Sequence, residues 1–387
     1  MEWIPLLLMF LGHVWVDASQ AILPVVVVKL KELFSLSYFQ IGLMMAVLNL
    51  TSSVIQPVFG YISDRFSSGW FVPVGILGTA LTMGLLGWSP NYPVSVLLVG
   101  LAGFGTAAFH PRAMMAVYLL SGSRRGFGAA VFSTGGNLGF ALGPVIGSFL
   151  VLGFGLHATL GLVGPGLLLF LIIFYYPGDY LKRKTEVAEK SLEPLNGGLQ
   201  AIPWVSLIAV CLIVTLRSWV YISFITYLPM FFQLQGIPLK AGSLMLTVFL
   251  LGGAVAGLYG GHLSDRLGRR RVIAVSMLIY PVLASLMILS KGVWIWLLAG
   301  ASGAALLASF AVTIVLAQEL LPRYLGLASG LILGLGFGTG GLGTALSGFL
   351  ADKLGLYPVT WILALVPALG AVLTIFIKTD TRNKVFS

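Results

Sequence analysis

Residues 60–66 read "GYISDRF", and residues 261–267 read "GHLSDRL". The two heptapeptides lie 201 residues apart and share glycine, serine, aspartate and arginine at matching places. Two further pairs keep this spacing to within one residue: "LMMAVLNL" (43–50) with "LMLTVFLL" (244–251), and "FLVLGFGL" (149–156) with "FLADKLGL" (349–356). A constant period of this length indicates an internal duplication. The 387-residue chain is therefore predicted to contain two copies of one unit.

The composition indicates that each copy is built for a lipid environment. Hydrophobic residues make up 58% of the chain and charged residues only 9%, whereas soluble domains carry about a quarter charged residues. The net charge of +10 does not indicate a nucleic-acid partner, because the basic residues lie in short clusters between apolar segments. The single cysteine, Cys211, excludes an internal disulfide.

Apolar segments long enough to cross a bilayer recur along the whole chain. A membrane-spanning helix needs about 20 apolar residues, and a helix satisfies its backbone polar groups internally. Twelve such segments are predicted: 4–27, 38–62, 69–88, 93–119, 126–152, 157–177, 203–232, 239–262, 271–290, 292–319, 325–350 and 357–377. The predicted fold is an all-α integral membrane protein, with twelve transmembrane helices in two pseudo-symmetric six-helix bundles.

One charged segment, 178–202, divides the predicted helices six and six. The expected organisation is an N-terminal bundle (1–177), a cytoplasmic linker (178–202) and a C-terminal bundle (203–387). Six helices per copy give both copies the same orientation, as in many secondary transporters. Fifteen of the 22 basic residues fall in segments on the side of the membrane where both termini are placed, and five fall on the opposite side. This bias predicts a multi-pass protein of the cell inner (plasma) membrane with both termini cytoplasmic.

Three motifs resemble those of the major facilitator superfamily, and the resemblance covers essentially the whole chain. The loop after predicted helix 8, "GHLSDRLGRRR", is similar to the family's G-x-x-x-D-R-x-G-R-R-R motif, and its counterpart after helix 2 keeps the first part. One interpretation is that these loops are only topology signals and turn formers. The other is a role in gating, because contacts of their aspartates and arginines across a helix end would break when the inner gate opens. The gating residues so implied are Gly60, Asp64, Arg65, Gly261, Asp265, Arg266, Arg269 and Arg270.

Predicted helix 5 carries "GFALGPVIGS" (139–148), which resembles the superfamily's antiporter motif through Gly139, Gly143, Pro144 and Gly147. Glycines at this spacing let helices approach closely.

The stretches "HVWVDASQAILP", "FHPRAMMA", "FSTGGNLGFALGP" and "LRSWVYISFITYLP" are similar to efflux proteins of the fosmidomycin-resistance type. That resemblance implies proton-driven export of small molecules. The chain departs from the branch on helix 4, with Arg112 in place of the usual acid and Met115 in place of the usual arginine.

Helix 1 carries a polar stripe, because His13, Asp17 and Gln20 follow at i, i+4 and i+7. An ionisable residue near the bilayer centre costs about 2.5–3.5 kcal/mol on insertion scales and therefore indicates a functional site. Asp17 and His13 are predicted to couple transport to protons. Arg217 lies at similar depth in helix 7, the repeat counterpart of helix 1, so we expect it to attract Asp17 directly or through water. A purely structural interhelix pair is the alternative.

Polar side chains on other helices are candidates for substrate binding. Two arginines favour an anionic group such as a phosphonate or carboxylate, since guanidinium binds these through parallel hydrogen bonds. The predicted substrate-binding residues are Arg217, Arg112, His110, Gln20, Asn137, Ser218 and Tyr221. Snorkelling of Arg112 toward the headgroups is the alternative for that residue. Glu319 is expected to form a local ion pair with Arg323, four residues away.

The sequence contains no phosphate loop and no Cys/His cluster with metal-ligand spacing. It predicts a non-enzymatic secondary active transporter with no cofactor or metal. The leading hypothesis is proton-coupled antiport that exports a small drug-like or anionic molecule. Two alternatives remain: an organic-anion uptake or exchange transporter, and a non-transporting membrane receptor on the same fold. A membrane-embedded enzyme is disfavoured because the sequence shows neither paired carboxylates nor clustered histidines.

The expected partners are a small-molecule substrate, protons and the bilayer, with no nucleic acid, and the protein is expected to be a monomer.

Overall fold

The computed structural model describes residues 2–59, 62, 70–122, 125–176, 203–321 and 325–377. Within these residues it contains twelve helices long and apolar enough to cross a membrane. They are α1 (Trp3–Phe34), α2 (Tyr38–Phe59), α3 (Phe71–Trp88), α4 (Tyr92–Leu120), α5 (Arg125–Phe154), α6 (Leu156–Tyr175), α7 (Trp204–Leu234), α8 (Leu239–Leu267), α9 (Arg269–Leu289), α10 (Val293–Leu320), α11 (Leu325–Leu354) and α12 (Leu356–Phe376). The predicted all-α membrane fold is confirmed. The predicted linker, 178–202, lies outside the described residues.

The packing repeats between the two halves, as the duplication predicts. Helix α1 packs along α5 in the first half, and α7 packs along α11 in the second. The most extensive contacts between the halves are those of α2 with α11 and of α5 with α8, and α7 also contacts α1 and α2. Helices α1 and α7, which carry Asp17 and Arg217, therefore lie next to each other where the halves meet.

The bundle has two ends that differ in their connections. Six short connections lie at one end, here called the turn end: 35–37, 89–91, Gly155, 235–238, 290–292 and Gly355. The opposite end, here called the basic end, carries Arg266, Arg269 and Arg270 around the α8–α9 connection. The predicted orientation assigns the basic end to the cytoplasm.

Helix α1 is longer than predicted and ends at Phe34 rather than near residue 27. The helix is interrupted at Ile22 and resumes at Leu23, with Pro24 in the first turn of the new segment. Proline fits there because first-turn N–H groups have no partner inside the helix. Lys31 lies within the last turn and donates to the Leu36 carbonyl oxygen at 2.6 Å.

The helix-5 motif holds α5 tightly against α1. A Cβ at Gly139 would lie 3.0 Å from the Ala18 nitrogen, and one at Gly143 would lie 2.9 Å from the Ala18 carbonyl oxygen. A Cβ added at Gly147 would lie 3.2 Å from the Ile22 Cβ. The motif glycines therefore act first as packing residues that bring the α1 backbone close to α5.

The substitution Gly143→Ala should destabilise the protein, because overpacking a tight contact costs about 1–3 kcal/mol. A change of that size lowers the thermal midpoint by several degrees. The matched control is Gly153→Ala on the same helix, where an added Cβ meets nothing within 4 Å. Differential scanning fluorimetry of both purified variants checks the prediction, and equal midpoints would contradict it.

Candidate functional site

Asp17 lies between two histidines from different helices. His13, one turn earlier on α1, places its Nε2 3.2 Å from Asp17 Oδ2. His110 of α4 places its Nε2 3.5 Å from Asp17 Oδ1 and 3.1 Å from the Nε2 of His13. Asp17 is 3% exposed and His13 is 7% exposed. We call these three residues the His–Asp–His cluster.

The outer nitrogens of both histidines are bound to backbone carbonyls. His13 Nδ1 lies 2.7 Å from the carbonyl oxygen of Phe132, and His110 Nδ1 lies 3.0 Å from that of Thr106. A carbonyl oxygen only accepts hydrogen bonds, so each Nδ1 must carry the proton and donate it. Each neutral imidazole is thereby fixed with an unprotonated Nε2 that faces the cluster.

This arrangement leaves room for one additional proton. With Asp17 ionised and both imidazoles neutral, two Nε2 lone pairs and a carboxylate face one another and the cluster carries one negative charge. The 3.1 Å contact between the two Nε2 atoms becomes a hydrogen bond only when one of them is protonated. One bound proton therefore removes the lone-pair repulsion and makes the cluster neutral.

Neighbouring residues hold the cluster in position. The His13 ring stacks on Phe132 of α5, with 4.0 Å between the ring centroids. Gly136, also on α5, faces the cluster directly, since a Cβ there would lie 2.5 Å from His13 Nε2 and 2.8 Å from Asp17 Oδ2. Sequence reasoning missed Gly136, and the signal available was its position one turn before the helix-5 motif.

The three ligand-type atoms of the cluster lie within 4.8 Å of one another. Two imidazole nitrogens and a carboxylate oxygen are also donors that transition-metal ions accept. A metal ion is thus the chemical alternative to a shared proton, and a chelator distinguishes the two. The expectation of no clustered histidines is wrong for His13 and His110, because α1 and α4 bring them together.

Arg217 does not form the predicted direct ion pair with Asp17. Its Nη1 donates to Thr313 Oγ1 at 3.0 Å and to Ser309 Oγ at 3.5 Å, and its guanidinium lies 5.0 Å from the centroid of the Phe310 ring. The residue is only 1% exposed. Among the described residues, no carboxylate forms an ion pair with it. The two helices lie at equivalent places in the repeat, but each charge is held within its own half.

A small cavity of about 10 Å³, enough for about one water molecule, is lined by Arg217. Two other predicted substrate residues, Ser218 and Tyr221, line it together with Phe310 and Phe337. The pocket therefore combines one cation and hydroxyl groups with aromatic walls. These groups can bind an acid beside an apolar body, but the cavity must widen before a molecule of that size can enter.

The remaining candidates are dispersed. Arg112 is 2% exposed and donates to the Met115 sulfur at 3.2 Å, so protein atoms enclose it. Gln20 is buried on α1, and Asn137 is exposed on α5. His110, predicted to bind substrate, is part of the His–Asp–His cluster instead.

The predicted gating loops are described only in the second half. There Arg269 forms ion pairs with Asp265 and, at 3.1 Å, with Glu319 of α10. It also donates to Ser264 Oγ at 2.5 Å. Glu319 thus pairs with Arg269 across helices, while its expected partner Arg323 lies outside the described residues. Gly60, Asp64 and Arg65 also lie outside them.

Comparison with known proteins agrees with this architecture. The family model described as "Major Facilitator Superfamily" matches residues 9–245 and 236–387. The chain belongs to the major facilitator superfamily. The "Fosmidomycin resistance protein" of Escherichia coli (strain K12) is 30% identical over 97% of this chain and 92% of its own length. The "Uncharacterized MFS-type transporter YfnC" of Bacillus subtilis (strain 168) is 31% identical over 97% of this chain and 93% of its own length.

Among solved structures, that of a mutant of the nucleoside transporter NupG matches with a TM-score of 0.80 at 14% identity, covering 97% of this chain and all of that one. This likeness concerns the fold alone. This major facilitator protein is accordingly a multi-pass membrane transporter of small molecules and not an enzyme. The predicted resemblance to fosmidomycin-resistance proteins is confirmed.

The geometry predicts the tautomers of His13 and His110. Nitrogen NMR of ¹⁵N-histidine-labelled protein should show both as the Nδ1–H form or as imidazolium at every pH. The chain has only four histidines, and His157 and His262 are exposed on described helices and serve as internal controls. Substitution of each histidine assigns the signals. A neutral Nε2–H form at position 13 or 110 would contradict the described cluster.

Proposed function

We propose that this transporter is a proton-coupled antiporter that exports a small drug-like or anionic molecule by alternating access between its two halves. The observation that carries the proposal is the His–Asp–His cluster, in which two imidazole Nε2 atoms and a buried carboxylate face one another. Two imidazole nitrogens and a carboxylate that face one another can bind a proton and release it again, which is what coupling to a proton gradient requires. The relationship to a fosmidomycin resistance protein is consistent with export.

Opposite charges in the two halves provide a coupling mechanism. The unprotonated cluster carries a negative charge on the α1 side, and Arg217 carries a positive charge on the α7 side. These charges attract each other across the space between the halves when both sites are empty. Protonation of the cluster removes one partner of the attraction, and an anion on Arg217 neutralises the other. Either event alone therefore allows the halves to rearrange, so protons and substrate can move in opposite directions.

The isolated guanidinium favours a second candidate, uptake or exchange of an organic anion. A buried charge without a counter-ion is unfavourable, and an anionic ligand would supply one to Arg217. If the proton and the anion bind together, both sites become neutral at once and both travel in the same direction. A receptor that does not transport is disfavoured, because it has no need of a proton site facing a cation across the bundle.

The substitution Asp17→Asn should abolish proton-coupled transport, because the amide cannot carry the negative charge that one proton neutralises. Proteoliposomes with an imposed pH gradient and a panel of phosphonates, including fosmidomycin, provide the assay, with an internal pH dye to give the direction of proton flow. Glu32→Gln is the matched control, since Glu32 lies on the same helix in an exposed pair with Lys29 at 2.7 Å.

Gradient-driven accumulation by Asp17→Asn at the level of the parent protein would refute the coupling role. Proton flow in the same direction as the substrate would favour the second candidate. The chelator EDTA should leave coupling unchanged. Loss of activity in EDTA, restored by added zinc, would identify a metal ion instead of a proton in the cluster.

The substitution Arg217→Lys should weaken binding of an acidic substrate by about tenfold, because lysine keeps the charge but loses the planar fork that binds an acid with two hydrogen bonds. The KM of the transported phosphonate should rise while the maximal rate changes little. Arg270→Lys, at the basic end and away from the pocket, is the control. An unchanged KM in Arg217→Lys would place the substrate elsewhere.

A further inference from the structure

Asp352, at the last turn of α11, binds the first turn of α2. Its Oδ1 accepts a hydrogen bond from the backbone nitrogen of Tyr38 at 2.6 Å, and its Oδ2 accepts one from that of Phe39 at 2.9 Å. These are N–H groups that a helix start leaves without internal partners. A carboxylate at a helix N-terminus is also favoured by the helix dipole. Asp352 belongs to the second half and α2 to the first, so both hydrogen bonds cross between the halves at the turn end.

A second contact joins the halves at the same place. The Tyr227 hydroxyl of α7 lies 2.8 Å from the Tyr38 carbonyl oxygen and 3.1 Å from that of Thr344, and it donates to these oxygens. Gly348 makes the approach possible, since a Cβ there would lie 2.5 Å from the Tyr227 hydroxyl. Tyr38 is thus held through its nitrogen by Asp352 and through its carbonyl by Tyr227. We call these residues, Asp352, Tyr227, Tyr38 and Phe39, the turn-end clasp.

Helix α2 does not require Asp352 to complete its own N-terminus. Ser37 and Gln40 form a capping box: Ser37 Oγ accepts from the Gln40 nitrogen at 3.2 Å, and Gln40 Oε1 accepts from the Ser37 nitrogen at 2.9 Å. This local cap lies wholly in the first half and stays intact when the halves move. The bonds to Asp352 are additional to it and would be lost on separation.

We propose that Asp352 is a gating residue: the turn-end clasp holds that end of the transporter closed, and its hydrogen bonds break each time the end opens. Alternating access requires that contacts between the halves form at one end and break at the other. A charge-assisted pair of bonds from one carboxylate suits a contact that must be firm but reversible, because water can satisfy all its groups after opening. The inference does not depend on proton coupling or on the identity of the substrate.

The test measures access to a residue beneath the clasp. Ala345 of α11, two turns before Asp352, is 8% exposed. It faces Gly42 of α2, since a Cβ added at Gly42 would lie 2.7 Å from the Ala345 Cα. Cys211 is the only cysteine, so Cys211→Ser with Ala345→Cys gives a single reporter. A membrane-impermeant maleimide is applied to right-side-out and inside-out vesicles, so the result does not depend on which side the turn end faces.

Asp352→Ala should raise the initial labelling rate from one side by about tenfold, the shift expected from roughly 1.4 kcal/mol. Asp352→Asn, which retains one acceptor oxygen, should give an intermediate rise, and Tyr227→Phe should also increase the rate. Lys353→Gln is the neighbouring control, since Lys353 lies over the Phe349 ring rather than in the clasp. Size-exclusion profiles confirm that each variant is folded.

Ser37→Ala separates gating from simple capping, because it removes the local cap and leaves the Asp352 contact in place. Under the proposal, Ser37→Ala labels like the parent. Two results would overturn the inference: parental labelling rates in both Asp352 variants, or the same rise in Ser37→Ala as in Asp352→Ala.

Discussion

A carboxylate enclosed by apolar helices has to be compensated, and the surroundings of Asp17 follow from that requirement. The compensation comes from one proton bound between Asp17 and two imidazoles rather than from a fixed cation. A fixed cation would hold Asp17 in one charge state, whereas imidazoles oriented by carbonyl groups can accept a proton and give it back. Phe132 and Gly136 serve the same arrangement, because Phe132 stacks on the His13 ring and the missing side chain at Gly136 leaves the space that His13 and Asp17 occupy.

The duplicated halves use equivalent helices for different purposes. In the first half α1 carries an acid with two titratable neighbours, and in the second half α7 carries a guanidinium held by the Ser309 and Thr313 hydroxyls. A hydroxyl stabilises the cation without neutralising it, so Arg217 keeps its attraction for an anion. This asymmetry is what lets one half respond to protons and the other to a substrate under the proposed mechanism. The turn-end clasp shares no residue with the His–Asp–His cluster or with the Arg217 site. Its proposed role is limited to the opening and closing of the turn end, the movement that those two sites would control.

The sequence predicted most of the fold but only part of the site. Hydropathy and the repeat predict the twelve helices, because each span must satisfy its backbone polar groups internally and each half must pack in the same way. The approach of His110 to Asp17 is a contact between α1 and α4, residues 93 apart, which no local spacing encodes. A direct ion pair of Asp17 with Arg217 does not form, because equal depth in a repeat does not imply contact. No local pattern in the sequence indicates the contact of Asp352, because it is made with the first turn of a helix 314 residues away.

The claim that the His–Asp–His cluster exchanges one proton against substrate is tested most directly by proton release from purified protein. Detergent-solubilised transporter in weakly buffered solution is titrated with a transported phosphonate while a pH dye records the proton balance. The account predicts release of up to one proton per protein near neutral pH, absent in the double variant His13→Asn/His110→Asn. Substrate binding with no proton released at any pH between 5 and 8 would contradict it.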